Sequence, residues 1–283
     1  MRGRTGTLTQ GRPRMIGRVI VAIDVGNSNV TVGIVGGGDV TSARRATTRP
    51  SATADELEIT LNELLALDGA ALSNVDEIVL ACVVPAVTAT LLDVAARLKI
   101  PLLVADSTTV PIPMHISKPA EAGADRLVNA FAALRLYGAP AIVVDFGTAT
   151  NFDVVSADGA YIGGALAPGL ELGIEALAAK TAKLPRVALV MPQDAIGRDT
   201  VSAIQSGAVI GYIGLVSELV RAITRQLALD SAQPPKVIVT GGLSQAAWAS
   251  AIPGVDVIDP LLTLRGLALL HAEVRRGESV AQA

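Results

Sequence analysis

Apolar residues fall along this chain in short runs, and the spacing within each run separates strands from helices. Residues 19–25 and 30–35 are rich in β-branched side chains and flank Gly26 and Asn27, which predicts two paired strands closed by a turn. Residues 39–46, after Gly36-Gly37-Gly38, predict a third strand. Thr53-Ala54-Asp55-Glu56 reads as a helix start, a hydroxyl cap followed by acids, and Leu57, Leu61, Leu64 and Leu65 then share one helical face. Residues 78–84 predict a buried strand stopped by Pro85, 87–98 a helix and 101–105 a short strand. The order βββαβαβ is that of a mixed α/β half-domain.

Residues 106–122 carry Pro111, Pro113 and Pro119 and read as a loop. A helix follows over 123–137, with Leu127, Ala130, Phe131 and Leu134 on one side. The plan then starts again. Strands are predicted over 141–144, 150–155 and 160–163, a helix over 170–180, and a long helix over 200–229 that bends at its glycines. A strand over 236–240, a Gly241-Gly242 turn and a helix over 261–275 complete it. Two lobes are expected, 18–122 and 123–283, with a cleft between them. Gly207, Gly211 and Gly214 share one face of the long helix, which suits either close packing within the chain or a seam between subunits.

Two segments occupy matching places in the halves: Asp24-Val25-Gly26-Asn27-Ser28-Asn29 and Asp145-Phe146-Gly147-Thr148-Ala149-Thr150. Each sets an acid at the end of a buried strand, then a glycine turn, then small hydroxyl or amide residues. Glycine lets the backbone approach an anion, amide and hydroxyl groups donate to phosphate oxygens, and a carboxylate can hold a cation. The doubling predicts one nucleotide facing two related lobes. Asp125 opens the helix that follows the Pro/Gly loop, where a carboxylate can take the proton of an attacking alcohol. Arg126 beside it offers planar donors for a carboxylate or a phosphate. A first-turn acid favoured by the helix dipole is the plainer reading of Asp125.

Composition narrows the field further. At 283 residues the chain can build a substantial core, and although 51% of it is hydrophobic, no run approaches the roughly 18–20 apolar residues that span a bilayer. A soluble, cytoplasmic protein is expected, with no membrane partner. A net charge of −3 and 2% aromatic residues leave no footprint for nucleic acid. One cysteine, Cys82, rules out an intrachain disulfide, and with the distant His115 and His271 it makes no zinc site. Cys82 itself reads as a small buried hydrophobe. Residues 1–17 are rich in Arg, Gly and Thr without an apolar core, unlike a secretory signal, and are expected to be a disordered extension.

In order along the chain come Ala22-Ile23-Asp24-Val25-Gly26-Asn27-Ser28-Asn29, Gly123-Ala124-Asp125-Arg126 and Val143-Val144-Asp145-Phe146-Gly147-Thr148-Ala149-Thr150. Lys183-Leu184-Pro185-Arg186, Gly197-Arg198-Asp199-Thr200-Val201 with Gln205-Ser206-Gly207, and Thr240-Gly241-Gly242-Leu243 follow. Over residues 19–270 this set resembles the type III pantothenate kinases of the acetate and sugar kinase/actin superfamily. The resemblance implies duplicated actin-like (ribonuclease H-like) half-domains, a homodimer, and ATP-dependent phosphorylation of pantothenate on its terminal hydroxyl, the first step towards coenzyme A. It implies ATP, Mg²⁺ and a monovalent cation, K⁺ or NH₄⁺.

Carried over by position, Asp24, Val25, Gly26, Asn27, Ser28, Asn29, Val30 and Thr31 would form the first phosphate loop. Thr148 would contact ATP and Asp145 would hold the monovalent cation. Gly123, Ala124, Asp125 and Arg126 would bind pantothenate, with Asp125 as catalytic base, and Thr200 would touch the same substrate. Some positions depart from the family pattern. Asn151 and Ile116 stand where Thr and Tyr are usual, Lys118 precedes Pro119 in place of Asn, Asp199 replaces Asn, and Ser28 replaces Thr. A catalytically impaired, regulatory paralogue that binds a nucleotide or metabolite, or a kinase of the same fold for another small hydroxy acid, remain as alternatives at this stage.

Overall fold

Alternation of side chains along each strand decides how the molecule is layered. A computed structural model describes residues 18–281; the expected extension over 1–17 lies outside the described residues. Strands β1 (Ile20–Val25), β2 (Asn29–Gly36), β3 (Asp39–Thr47), β4 (Glu77–Cys82) and β5 (Leu102–Val104) form one sheet in the order β3-β2-β1-β4-β5. Strands β6 (Ala141–Phe146), β7 (Ala149–Val155), β8 (Tyr161–Pro168), β9 (Lys236–Gly241) and β10 (Val257–Ile258) form the other, in the order β10-β9-β6-β7-β8. Taken from the opposite edge, the second order is the first repeated. Each sheet joins its first three strands antiparallel and adds the last two in parallel.

In β1, Val21, Ile23 and Val25 enter a core shared with α1 (Ala54–Ala66) and α2 (Pro85–Leu98), while Ile20 and Ala22 face the other sheet. In β6, Ile142, Val144 and Phe146 pack outward against α4 (Leu170–Lys180) and α6 (Gly211–Leu227), while Ala141 and Val143 face inward. Asp24 and Asp145 continue the two inward series. The period of two therefore aims both acids into the space between the sheets. That space is filled by α3 (Ala124–Tyr137) and α7 (Leu262–Ala281).

Helix α3 was expected to bury one side, yet Leu127, Val128, Asn129, Ala130, Phe131, Ala132 and Ala133 are all fully buried. Sheets and α7 surround it. A β-carbon on Gly266 of α7 would stand 2.7 Å from Val128 Cγ1 and 2.8 Å from the Val128 carbonyl oxygen, so the crossing of the two helices depends on glycine there. Helix α7 also lies against β1, β3 and β4, returning the end of the described chain to the first sheet.

The α1 start forms as its sequence predicts. Glu56 N donates to Thr53 Oγ1 at 3.3 Å and Thr53 N donates to Glu56 Oε2 at 2.8 Å, a reciprocal cap. The long helix spans α5 (Thr200–Gln205) and α6, joined by a π-helical stretch over Ser206–Ile210 where glycines were expected to bend it. Among the described residues, nothing outside the helix lies within 4 Å of where β-carbons on Gly207, Gly211 or Gly214 would stand, so this stripe packs closely against none of them. By length and composition, Thr200–Leu227 is apolar enough to cross a membrane, with a mean hydropathy of 1.5 over its best window. Its Val209, Tyr212, Val216, Val220 and Leu227 nevertheless pack against the second sheet. Strand β10 escaped the sequence pattern because two residues carry no periodicity.

Candidate active site

The acids at the ends of β1 and β6 open onto one cavity of about 830 Å³ between the sheets. Tight turns follow both acids. Gly26 N donates to Asn29 O at 2.9 Å, and Gly147 N donates to Ala149 O at 3.0 Å. The first turn is pinned from just past β3, where Thr48 Oγ1 donates to Gly26 O at 2.7 Å. The two turns touch directly, with Ser28 Oγ and Thr148 Oγ1 2.7 Å apart. The N-terminus of α3 completes the wall: Asp125 Oδ1 accepts from the Arg126 N–H at 2.8 Å, satisfying one of the free amides at the helix start.

Of the residues expected here, Asp24, Gly26, Asn27, Ser28, Asn29, Thr31, Gly123, Asp125, Arg126, Asp145 and Thr148 line this cavity. Val25 and Val30 turn their side chains into the outer core and Ala124 into the inner one, leaving only main chain for a ligand. Thr200 is exposed at the start of α5, outside the cavity, because that helix belongs to the layer beyond the second sheet. Asp199 caps it, its Oδ1 accepting from Ser202 N at 2.9 Å, a task Asp and Asn perform equally well. Ile116 packs against the inner core.

Three participants went unread in the sequence. Asn129, fully buried, donates to Asp145 Oδ2 at 3.2 Å and accepts from Thr263 Oγ1 at 2.8 Å, linking α7 to the acid. Its signal was a polar residue one helical turn beyond Asp125 in an apolar helix. Asp153, also fully buried, accepts from Arg126 Nε at 2.7 Å and from Tyr161 Oη at 3.1 Å. An acid between Phe152 and Val154 in a strand was the hint. Arg45, on β3, lines the cavity too.

The carboxylates strain one another. Burial first, then the charges of Asp125 and Asp145, push Asp24 up to about 8, with Arg45 pulling the other way. Asp145 is pushed up to about 7 by burial and then by Asp125, against the Asn129 amide and Arg45. Burial raises Asp125, resisted by the Arg126 N–H and its charge. Asp153 is raised by burial to about 7 against the pull of Arg126. Arg45 and Arg126 offset only part of this negative charge. Asn151, directly across from Asp145 in the β6–β7 register, also has a buried Oδ1 with no hydrogen-bond partner among the described residues. These donors suit a cation. Among the described residues no three His, Cys, Asp or Glu side chains are grouped tightly enough to hold a metal by themselves. A cation here would share its ligands with phosphate oxygens, as Mg²⁺ commonly does.

A stability effect follows from those shifts. A carboxyl held higher in the folded state binds its proton more tightly there, so its contribution is complete below about pH 4. It is lost as pH rises through about 7–8. Asp24→Asn removes a charge that the empty fold resists. It is expected to raise the melting temperature by about 2–6 °C at pH 8 and by less at pH 6. Thermal unfolding of the ligand-free protein at both pH values measures this; an equal or lower melting point at pH 8 would show that Asp24 is not strained.

The family model for "Type III pantothenate kinase" matches residues 20–222. A protein of Thermomicrobium roseum with that name is 42% identical over 260 residues, covering 91% of this chain and 98% of its own. One of Paramagnetospirillum magneticum, named likewise, is 43% identical over 256 residues, covering 89% and 96%. Among solved structures, MreB 5 of Spiroplasma citri bound to AMPPNP aligns with a TM-score of 0.53 at 14% identity, covering 95% of this chain and 100% of its own. The ethanolamine utilization protein EutJ of Carboxydothermus hydrogenoformans gives 0.52 at 16%, covering 90% and 91%. These last two speak for the fold alone, and that fold is the duplicated actin-like one expected from the sequence.

Proposed function

The chain belongs to the type III pantothenate kinase family, and from that premise we propose how its residues carry out the reaction. It is an enzyme that phosphorylates pantothenate at the expense of ATP, the step that opens coenzyme A biosynthesis. The readings as an impaired paralogue or a kinase for another hydroxy acid give way to this one.

Asp125 accepts the proton of the pantothenate hydroxyl as that oxygen bonds to the terminal phosphorus of ATP. The bond from that phosphorus to its bridging oxygen breaks, and ADP leaves with the electron pair. A carboxyl raised by burial is a stronger base once ionised, and better matched to neutral pH. Phosphoryl transfer has a loose transition state, so positioning and charge neutralisation dominate. The turn residues Gly26–Thr31 and Thr148 donate to the phosphates. Asp24 would help hold Mg²⁺, which would supply charge neutralisation to the phosphates. Asp145, held by Asn129, takes the monovalent cation, with the unpartnered Asn151 Oδ1 beside it. Gly123 and Arg126 hold pantothenate, with Arg126 fixed at Nε by Asp153 so that its remaining donors serve the substrate carboxylate.

The lobes divide near residue 122. A homodimer accounts for the exposed Val190, Met191, Ile196, Val201 and Ile210 and for the open glycine stripe beside them. A second copy on that face would give Thr200 a role that its place in one chain does not. The protein works in the cytoplasm without nucleic acid or membrane.

One observation carries this reading: three inward-facing acids, from β1, α3 and β6, share a cavity with two turns that touch. Purified protein with ATP, Mg²⁺ and pantothenate, assayed for phosphopantothenate with and without K⁺ or NH₄⁺, is expected to turn over only with the divalent ion. The monovalent ion is expected to stimulate it. No product under saturating conditions would defeat the reading, and turnover indifferent to K⁺ and NH₄⁺ would remove the role given to Asp145.

A further inference from the structure

The two sheets repeat one another strand for strand, so their cross-strand rows can be compared position by position. In the first sheet Asp24 faces Thr31, and Thr31 faces Arg45. In the second, Asp145 faces Asn151, and Asn151 faces Leu166. The acid and its polar neighbour recur; the arginine does not, and Leu166 in its place is 64% exposed. Arg45 is thus an addition made to one lobe only, on the same inward face as Asp24.

Three arginines line the cavity: Arg44, Arg45 and Arg126. Arg44 is held by Asp68, whose Oδ2 accepts from its Nε at 3.0 Å, and Arg126 by Asp153. Arg45 has no hydrogen bond or ion pair with another side chain among the described residues. Its charge nevertheless acts on both Asp24 and Asp145. The side chain reaches across the cleft to the turn that ends β9. A β-carbon on Gly242 would stand 3.2 Å from Arg45 Nη1, so the turn leaves room for the guanidinium against its backbone. A cation that spans both lobes, unpaired, beside a cluster of acids, is placed to bind an anion that arrives with its own cation.

We propose that Arg45 grips the terminal phosphate of the nucleotide from across the cleft, a binding residue for the group in transfer. The proposal rests on reading the cleft as the phosphoryl-transfer site. A guanidinium offers two parallel donors to phosphate oxygens, and fixed positive charge is most valuable where charge spreads over the oxygens in transfer. A simple counter-ion for Asp24 and Asp145 would do neither. It would favour ADP and ATP alike.

The test compares the unaltered protein with Arg45→Met and Arg45→Lys, using calorimetric titration with MgATP and MgADP alongside steady-state turnover. Arg45→Met is expected to lower kcat by about 10²–10³-fold and to weaken ATP about tenfold while ADP changes by less than about threefold. Arg45→Lys is expected to recover ATP binding more than turnover, because charge returns without the planar fork. Arg45 is exposed, so its loss is expected to leave the fold intact and to lower the melting temperature only slightly, through the favourable charge that Asp24 and Asp145 lose. An unchanged ratio of ATP to ADP affinity in Arg45→Met would overturn the proposal. Absence of turnover in the unaltered protein would instead defeat the reading of the site itself, so the two failures are distinct.

Discussion

Asp125→Asn is expected to cut kcat by about 10²–10⁴-fold while MgATP binds with affinity within about threefold of the unaltered enzyme. The carboxylate Oδ1 accepts from the Arg126 N–H, and an asparagine carbonyl can take the same bond, so the helix start keeps its shape. What is lost is the proton acceptor. The turns that meet at Ser28 and Thr148 stay as they are, which is why nucleotide binding should survive. Removing one of three mutually repelling charges also relaxes Asp24 and Asp145. Steady-state rates with calorimetric ATP titration separate the two effects. Turnover within tenfold of the unaltered rate would take the base role away from Asp125.

A second large effect is expected at Gly241, through the fold rather than the chemistry. Its φ is +88°, in the region that side chains disfavour, and a β-carbon would stand 2.3 Å from Asp145 Oδ1 and 2.6 Å from Phe146 N. One of those neighbours is backbone in the middle of the second sheet and cannot give way. Gly241→Ala is expected to destabilise the protein by about 3–5 kcal/mol and to abolish turnover by displacing Asp145. Gly242→Ala, whose β-carbon meets only the guanidinium at the far end of the Arg45 side chain, is expected to cost under about 1 kcal/mol. Denaturant titration of both variants checks the contrast. Similar stabilities for the two would mean that the turn can adjust and that the close approach is unimportant.

What could be read from the sequence, and what could not, follows from the range of the interactions. Asp24 and Asp145 were legible because strand period, a glycine turn and small polar residues are all local, and the local pattern occurs twice. The helix start at Thr53 was legible for the same reason. The all-round burial of residues 127–133 in α3 was not, since being enclosed by two sheets and α7 is a fact of the tertiary fold that one-sided periodicity understates. Asn129, Asp153 and Arg45 were missed because each acquires its partner, or its lack of one, only when distant strands and helices meet. Asp153 is paired with a residue in a different element, and Arg45 becomes notable only against its counterpart Leu166. Thr200 marks the opposite limit: a motif position that within one chain lies outside the cavity.

The return of α7 to the first sheet bears on how the protein is made. Strands β1 to β5 leave the ribosome long before residues 262–281, so until the chain is nearly finished the inward side of the first sheet has α3 alone to cover it, against β4. Ile20 and Ala22 then lack their covering helix, and a growing chain with uncovered apolar surface is prone to aggregate. The half of the molecule that is synthesised first is therefore the half that waits for its last helix, and shortening α7 should deplete the soluble protein before it alters any rate constant.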